Sequence, residues 1–213
     1  MRKFKPGELE RWAKKQGLYR ILGVDEAGVS PLAGPVVAAA VCLPDDHELY
    51  DIDDSKRICE EKRNKLYGDI LFFATTYGIG VVSQKEIDEI GIRHATFLAW
   101  KRAVETACAE GYVPQAVLVD GQVKHPDLAY PQFAFVKGDN RSWNIAAASI
   151  LAKVTRDRLM VGYSEKWPEY GFARNKGYST PQHKMMLKKH GICAIHRRSF
   201  RPVKEAKEQH EDA

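Results

Sequence analysis

Two adjacent acids, Asp25 and Glu26, follow an apolar segment and precede a loop rich in glycine and proline. The apolar segment, residues 19–24, is typical of a buried strand, and glycine and proline are typical of a turn after it. Because an unpaired carboxylate is costly to bury, acids at such a position often bind a cation. For this segment alone, a solvated strand end with two exposed acids is the alternative explanation.

Two more apolar segments run toward an aspartate: residues 116–119 lead to Asp120, and residues 133–136 lead to Asp139. If the three strands are neighbours, all four acids converge on one patch, where mutual repulsion would raise some of their pKa values. Mg²⁺ or Mn²⁺, which suit oxygen ligands, would relieve that repulsion. Two such ions about 4 Å apart can activate a water and stabilise the leaving oxygen of a phosphodiester. The predicted catalytic residues and metal ligands are therefore Asp25, Glu26, Asp120 and Asp139.

Length and composition indicate one compact globular domain, or one domain with a small appendage. The chain has 213 residues, of which 44% are hydrophobic. No apolar stretch is long enough to cross a membrane, and the N-terminal residues lack a signal-peptide core. The four cysteines have no paired metal spacing and are typical of reduced thiols. We therefore expect a cytoplasmic protein without membrane contact, and a monomer by default.

The formal net charge of +5 is modest, but basic residues are concentrated in the last quarter of the chain. From Arg174 onward, lysine and arginine meet only a few acids, most of them in the final tail. A basic lobe beside an acidic, metal-binding centre would suit a polyanionic substrate, because cations neutralise phosphates at some distance from the cut. A solvated basic surface helix is the alternative.

The order of predicted elements indicates an α/β fold, with a mixed β-sheet covered by helices. The predicted helices and strands are a helix at 7–15, strands at 19–25 and 36–43 joined as a hairpin, a helix at 60–72, a strand at 75–82, helices at 85–90 and 92–109, strands ending at Asp120 and Asp139, and a helix at 144–163. A basic helical segment follows. We expect a catalytic core with its N-terminal helix at residues 1–165, and a C-terminal helical extension with its tail at residues 166–213.

Eight sequence blocks recur here in a characteristic order between residues 22 and 203. They are GVDEAGVSPLAGPVVAAAV, DDSK, KEIDEIGIRHATFLAWKRAV, VLVDGQ, VKGD, NIAAASILAKVTRDRLM, YGFARNKGYST and HRRSF. This ordered set resembles the type 2 ribonuclease H (ribonuclease HII) family. The resemblance implies a ribonuclease-H-like fold, a mixed sheet flanked by helices with a C-terminal helical extension. By motif position, it also implies that the four acids are the catalytic metal ligands.

The same resemblance implies an endonuclease that hydrolyses the RNA strand of RNA–DNA hybrids. Members also cut 5′ of single ribonucleotides embedded in duplex DNA, by a two-metal-ion mechanism that leaves 5′-phosphate and 3′-hydroxyl ends. Residues Gly28, Val29 and Ser30 would then contact the 2′-hydroxyl, the group that distinguishes RNA from DNA. Tyr178 would pack against the neighbouring deoxyribose, and Lys56 could approach a phosphate. Without the resemblance, Tyr178 is a surface tyrosine and Lys56 a solvated lysine in a turn.

Four other residues in these blocks have competing explanations. Lys153, Arg156 and Asp157 recur at helical spacing, and a structural ion-pair role is expected for Arg156 and Asp157, although Asp157 is the main rival for the fourth carboxylate of the site. His183 and His196 could contact substrate, but packing or capping is at least as good an explanation.

The loop after the acidic pair departs from the family pattern, which is Gly-Arg-Gly, and reads Gly28-Val29-Ser30. The change removes a charged donor, whose hydrogen bond is worth roughly 1.5–3 kcal/mol. Ser30 would fit if its φ is negative, since it precedes a proline. We therefore predict retained nuclease chemistry with weaker recognition of an isolated ribonucleotide. A smaller departure is Gly91, where the family usually has asparagine, and this change is expected to cost a helix cap.

Two other functions compete with the hybrid-cutting enzyme. The first is a catalytically silent relative that binds RNA–DNA duplexes, and the second is another two-metal nuclease of the same core fold that acts on DNA. Retention of all four acids argues against the silent binder, because clustered negative charge near phosphates does not help binding.

Overall fold

The computed structural model describes residues 7–49, 52 and 58–211, and its centre is a five-stranded mixed sheet. The strands, in the spatial order β3-β2-β1-β4-β5, are β1 (Ile21–Ala27), β2 (Val36–Cys42), β3 (Thr76–Val82), β4 (Ala116–Asp120) and β5 (Gln132–Phe135). Strands β1, β2 and β3 pair antiparallel, whereas β4 and β5 continue the sheet in parallel from β1. The predicted mixed sheet and the hairpin between β1 and β2 are therefore confirmed.

Seven α-helices are described. They are α1 (Glu8–Lys15), α2 (Glu60–Phe73), α3 (Gln84–Cys108), α4 (Trp143–Lys166), α5 (Phe172–Asn175), α6 (Pro181–His190) and α7 (Arg201–Glu211). Single turns of 3₁₀ helix lie at Gly138–Asn140 and Pro168–Tyr170. None of the helices in the described part of the chain combines the length and the apolar character needed to span a bilayer.

Helices cover both faces of the sheet at close range. On one face α3 lies against β3, where a Cβ added to Gly80 would come within 2.0 Å of the backbone oxygen of Ala99. On the other face α4 lies against β1, where a Cβ on Gly23 would come within 2.3 Å of backbone atoms of Asn144. The small residues of the sheet therefore permit contact between backbones. Trp100 and Val104 of α3 are buried against the sheet.

Helix α3 contains the break that the sequence predicts between two helices. Gly91 has φ 78° and ψ 153°, and the helix continues on both sides of it. This conformation is essentially restricted to glycine. Gly91 therefore permits a kink between the two helical segments, and the expected loss of a helix cap at this position stays a prediction.

The C-terminal extension shares a core with the loop that follows β1. Leu32 and Ala33 pack in one apolar cluster with Tyr170, Phe172 and Ile195. Ala33 also forms an isolated antiparallel bridge with His196. The extension is therefore part of the structure that holds this loop.

Candidate active site

Adjacent parallel strands bring Asp25, Glu26 and Asp120 to one edge of the sheet. Asp25 and Glu26 lie near the carboxyl end of β1, and Asp120 is the last residue of β4, which pairs with β1. The carboxyl ends of neighbouring parallel strands meet at the same edge, so these side chains approach one another.

Asp139 reaches the same region by a different route from the one predicted. Strand β5 ends at Phe135, and Asp139 lies beyond it in the 3₁₀ turn Gly138–Asn140. Lys137, between them, has a φ of 56°, which turns the chain away from the strand direction. The prediction of a strand that continues to Asp139 was therefore wrong, although the residue lies near the other acids.

Hydrogen bonds hold the two acids of β1. The backbone N–H of Glu26 donates to Asp25 Oδ1 at 2.7 Å. The indole Nε1–H of Trp100, on α3, donates to Glu26 Oε2 at 3.0 Å. The sequence analysis did not identify Trp100 as a partner of the acids, because 74 positions separate it from Glu26.

The other two acids are held in a similar way. The backbone N–H of Gly138 donates to Asp120 Oδ1 at 2.7 Å, and Asn140 Nδ2 donates to Asp139 Oδ1 at 2.7 Å. Asp139 is 7% exposed, so the residue is largely withdrawn from water. A carboxylate held through one oxygen can still offer the other to a cation.

The electrostatics of the cluster show an excess of negative charge. Burial, followed by repulsion from Glu26 and Asp120, raises the pKa of Asp25 well above its usual range. Burial and repulsion from Asp139 likewise raise the pKa of Asp120. Within the described residues, no three acidic, histidine or cysteine side chains close around one point as a ready-made metal cage. The arrangement is a cluster of repelling oxygen donors, and its chemistry suits Mg²⁺ or Mn²⁺.

The glycine-rich loop (residues 28–35) begins directly beside these acids. Gly28 has a φ of 96° and lies so close to Arg156 that an added Cβ would be 2.1 Å from its Nε. Val29 and Ser30 are exposed. Ser30 is not among the described non-glycine residues with positive φ, so the serine fits this backbone without strain.

Two fully buried arginines hold the glycine-rich loop from inside. Arg197 donates to the backbone oxygens of Gly28, Val29, Gly34 and Pro35, with distances of 2.5 to 3.2 Å. Arg156 donates to the backbone oxygens of Ala33 and Pro35 at 3.2 and 3.0 Å. Burial and the neighbouring charge of Arg156 lower the pKa of Arg197 to about 9. The sequence reasoning did not identify Arg197, although the block HRRSF contains it.

The structural ion-pair role predicted for Asp157 is confirmed, because it pairs with Lys153, one helical turn away, with 2.7 Å between Nζ and Oδ1. The same role predicted for Arg156 was wrong, because its guanidinium donates to backbone oxygens. Asp157 lies with Glu60 and Arg158 in a groove between α2 and α4. Asp157 also does not contribute to the raised pKa values of Asp25 and Asp120. The structure therefore does not join it to the four acids.

Tyr178 lies against the glycine-rich loop, as a substrate-contacting residue would have to. Its ring centre is 5.7 Å from the guanidinium carbon of Arg156, and 40% of the residue is exposed. The neighbouring Gly177 accepts a backbone hydrogen bond from Leu32 at 2.8 Å. Lys56, the remaining predicted substrate-binding residue, lies outside the described residues.

His183 and His196 form a buried hydrogen-bonded chain that ends at Tyr178. The backbone N–H of Cys193 donates to His196 Nδ1 at 2.9 Å, so this nitrogen must be unprotonated. His196 Nε2–H then donates to His183 Nε2 at 3.0 Å, and His183 Nδ1–H donates to the backbone oxygen of Tyr178 at 2.9 Å. Both histidines are essentially inaccessible, at 0% and 1% exposure, which favours packing over substrate contact.

Comparisons with known proteins agree with this architecture. The sequence model of the family described as "Ribonuclease HII" matches residues 22–203. Ribonuclease HII of Ruminiclostridium cellulolyticum is 50% identical over 193 residues, which cover 90% of this chain and 73% of that protein. Ribonuclease HII of Geotalea uraniireducens is 48% identical over 93% of this chain and 90% of its own.

A solved structure shows the same fold. The crystal structure of ribonuclease H2 from Pyrococcus horikoshii OT3 superposes with a TM-score of 0.77 at 28% identity, and covers 91% of this chain and 100% of its own. The ribonuclease-H-like fold is thus shared along nearly the whole chain. With the family match over residues 22–203 and relatives near 50% identity, the chain belongs to the ribonuclease HII family and is a type 2 ribonuclease H.

Proposed function

We propose that this ribonuclease H hydrolyses the RNA strand of RNA–DNA hybrids and also cuts 5′ of ribonucleotides embedded in duplex DNA. The observation that carries the proposal is the cluster of repelling carboxylates beside the glycine-rich loop and Tyr178. The raised pKa values of Asp25 and Asp120 indicate that the negative charges of the cluster are not balanced by nearby positive charge. A substrate phosphate is itself negative and cannot balance them. Divalent cations would balance them.

Two Mg²⁺ or Mn²⁺ ions are the proposed cofactors, and Asp25, Glu26, Asp120 and Asp139 are the proposed ligands and catalytic residues. When bound, such ions activate a water and stabilise the leaving 3′-oxygen, so that 5′-phosphate and 3′-hydroxyl ends result. The protein's own contribution is to keep the four carboxylates at fixed positions through hydrogen bonds from Glu26 N–H, Trp100, Gly138 N–H and Asn140.

Residues Gly28, Val29, Ser30 and Tyr178 are the proposed substrate contacts. The arginines beneath the glycine-rich loop engage its carbonyl oxygens, which supports a rigid backbone beside the acids. Backbone donors of Val29 and Ser30 can sense a 2′-hydroxyl, and the ring of Tyr178 can pack against the next sugar. Lys56 is proposed to approach a phosphate.

Recognition of a single embedded ribonucleotide is proposed to be weaker than recognition of a long hybrid. Val29 offers an exposed apolar side chain where the family pattern has an arginine. A long hybrid presents many ribonucleotides, each with a 2′-hydroxyl, so the loss of one contact at Val29 matters less there than at a single ribonucleotide. A cytoplasmic monomer with a catalytic core at residues 1–165 and an extension at 166–213 completes the proposal.

The test uses three labelled duplexes with Mg²⁺ or Mn²⁺: all-DNA, a long RNA–DNA hybrid, and DNA with one ribonucleotide. Asp25→Asn is the matched control. Cleavage of the hybrid, with the single-ribonucleotide duplex cut poorly and Asp25→Asn inactive, supports the proposal. Robust cleavage of both would show that backbone donors suffice and would overturn the weakened recognition.

Two outcomes would favour the competing functions. If neither substrate is cut and Asp25→Asn binds the hybrid as well as the unchanged protein does, the chain is a silent duplex binder. If the all-DNA duplex is cut at a comparable rate, it is a nuclease that does not select RNA.

A further inference from the structure

The side chain of Trp100 is hydrogen-bonded to one of the four acids of the proposed metal site. Its indole Nε1–H donates to Glu26 Oε2 at 3.0 Å, and the two residues are 74 positions apart. An indole has one donor and no acceptor, so this bond uses the whole hydrogen-bonding capacity of the side chain. At 4% exposure, the indole has essentially no access to water as an alternative partner.

The indole is itself held in place on both sides. It belongs to the core cluster that includes Val24 and Val119, the residues directly before Asp25 and Asp120. Phe97, one turn earlier on α3, meets it edge to face with ring centroids 5.7 Å apart. His125 in turn holds this turn of α3, because its Nε2 lies 3.0 Å from the backbone oxygen of Phe97. Trp100 is therefore a rigid donor at a fixed height above the sheet.

A neutral donor suits a metal ligand in a way that a charged one does not. A lysine or arginine beside Glu26 would orient the carboxylate and also neutralise the charge that attracts a cation. The indole orients the carboxylate and leaves its negative charge in place. It also restricts the rotamers of a long, flexible side chain, which lowers the entropy lost when that side chain binds an ion.

We propose that Trp100 is a positioning residue for Glu26, which holds one carboxylate oxygen so that the other is directed to a divalent cation, and that its indole senses occupation of the site. This inference rests on the proposed metal site. Partners of this kind, which orient a metal ligand without touching the metal, typically change metal affinity 10- to 100-fold when removed.

The first experiment observes the bond directly. A ¹⁵N-labelled sample has four tryptophans and so gives four indole N–H signals, and Trp100→Phe identifies the one of interest. Glu26→Gln weakens the bond from a charged to a neutral acceptor, so we expect this signal alone to move upfield. Titration with Mg²⁺ should also move it more than the other three. An indole signal that is indifferent to both changes would overturn the proposal.

The second experiment measures the consequence. Trp100→Phe keeps an aromatic ring and removes the donor, whereas Trp167→Phe makes the same change in the apolar cluster of the C-terminal extension. We expect Trp100→Phe to raise the Mg²⁺ dissociation constant, measured by calorimetry without substrate, by about tenfold. Half-maximal cleavage should need correspondingly more Mg²⁺, while hybrid binding in EDTA stays unchanged.

The outcomes separate this inference from the proposed function. If Trp100→Phe and Trp167→Phe both keep the unchanged protein's Mg²⁺ affinity while Asp25→Asn is inactive, the metal site stands and the role of Trp100 is wrong. If Asp25→Asn cleaves like the unchanged protein, the metal site itself is wrong, whatever the indole signal shows. If Trp100→Phe and Trp167→Phe both weaken hybrid binding in EDTA to the same extent, Trp100 contributes only to general packing, and its positioning role is wrong.

Discussion

The guanidinium of Arg197 lies beneath the glycine-rich loop and donates to the backbone oxygen of Val29 at 2.9 Å, across 168 residues of sequence. Arg197 is fully buried and also donates to the backbone oxygens of Gly28, Gly34 and Pro35. The loop that would sense ribose is therefore held by the far end of the chain. Its geometry depends on whether the C-terminal extension is folded onto it.

We expect Arg197→Met to destabilise the protein by about 3 kcal/mol, because several buried carbonyl oxygens lose their donor. Urea unfolding followed by circular dichroism gives the change in free energy of unfolding. Arg198→Met is the matched control, since Arg198 is exposed and should change stability by less than about 0.5 kcal/mol. Equal effects of the two substitutions would contradict the anchoring role of Arg197.

We expect the double substitution Val29→Arg/Ser30→Gly to favour DNA with one ribonucleotide over a long hybrid. The arginine restores a charged donor worth roughly 1.5–3 kcal/mol, which corresponds to about tenfold or more in selectivity. The ratio of kcat/KM on the two substrates measures it. An unchanged ratio would show that the loop sequence does not set this preference.

The four acids should destabilise the metal-free protein at neutral pH. The pKa of Asp120 is raised in the folded state, so its favourable contribution is present at low pH and lost as pH rises through the folded pKa. We therefore expect Asp120→Asn in EDTA to have a higher Tm than the unchanged protein at pH 7, and to lose cleavage. The asparagine oxygen can still accept the bond from Gly138 N–H. A lower Tm would count against repulsion within the cluster.

Acid should destabilise the protein through the buried histidines. Burial, with repulsion from His183, lowers the pKa of His196 to about 3, and burial also lowers the pKa of His183. The unfolded chain binds protons near pH 6.5 and the folded chain does not, so stability falls as pH drops from about 6.5 toward 3. We expect His196 alone to account for about 1–2 kcal/mol between pH 7 and pH 5.

The comparison that isolates this effect uses His183→Phe/His196→Leu, which should flatten the dependence of unfolding free energy on pH. The exposed His94→Gln should leave it as it is. If the double variant keeps the original slope, acidic groups elsewhere cause the dependence.

Substitution of Gly91 should destabilise the protein because its backbone has a positive φ. We expect Gly91→Asn to destabilise the protein by about 1–3 kcal/mol, since φ 78° and ψ 153° are strained for a residue with a Cβ. Gly162→Ala in α4, with no atom within 4 Å of the added Cβ, should instead stabilise by about 0.5–1 kcal/mol. Thermal unfolding of the two variants side by side measures the difference. A neutral or stabilising Gly91→Asn would contradict the strain.

Local patterns in the sequence predicted the sheet and most of its helices. The apolar run before Asp25 and the run that ends at Asp120 predict strands, because a buried strand consists of consecutive apolar residues and is visible within a few positions. Asp25 and Glu26 are adjacent, so their shared position needed no tertiary information. The kink at Gly91 was also visible, because glycine interrupts the helical pattern within a few residues.

Only the tertiary structure decided the contacts that join distant segments. Asp139 reaches the other acids through a 3₁₀ turn after β5, which depends on the left-handed conformation of Lys137 and on the bond between Gly138 and Asp120. The hydrogen bond of Trp100 was likewise not predictable from the sequence. Helical spacing predicts that the residue is buried, but not that its indole donates to Glu26. In the sequence, Arg156 and Arg197 cannot be distinguished from ordinary surface cations. Folding buries both beneath the glycine-rich loop, where they donate to backbone carbonyl oxygens. Partners so far apart in the chain leave no periodic signal, so their pairing follows from how the extension packs against the sheet.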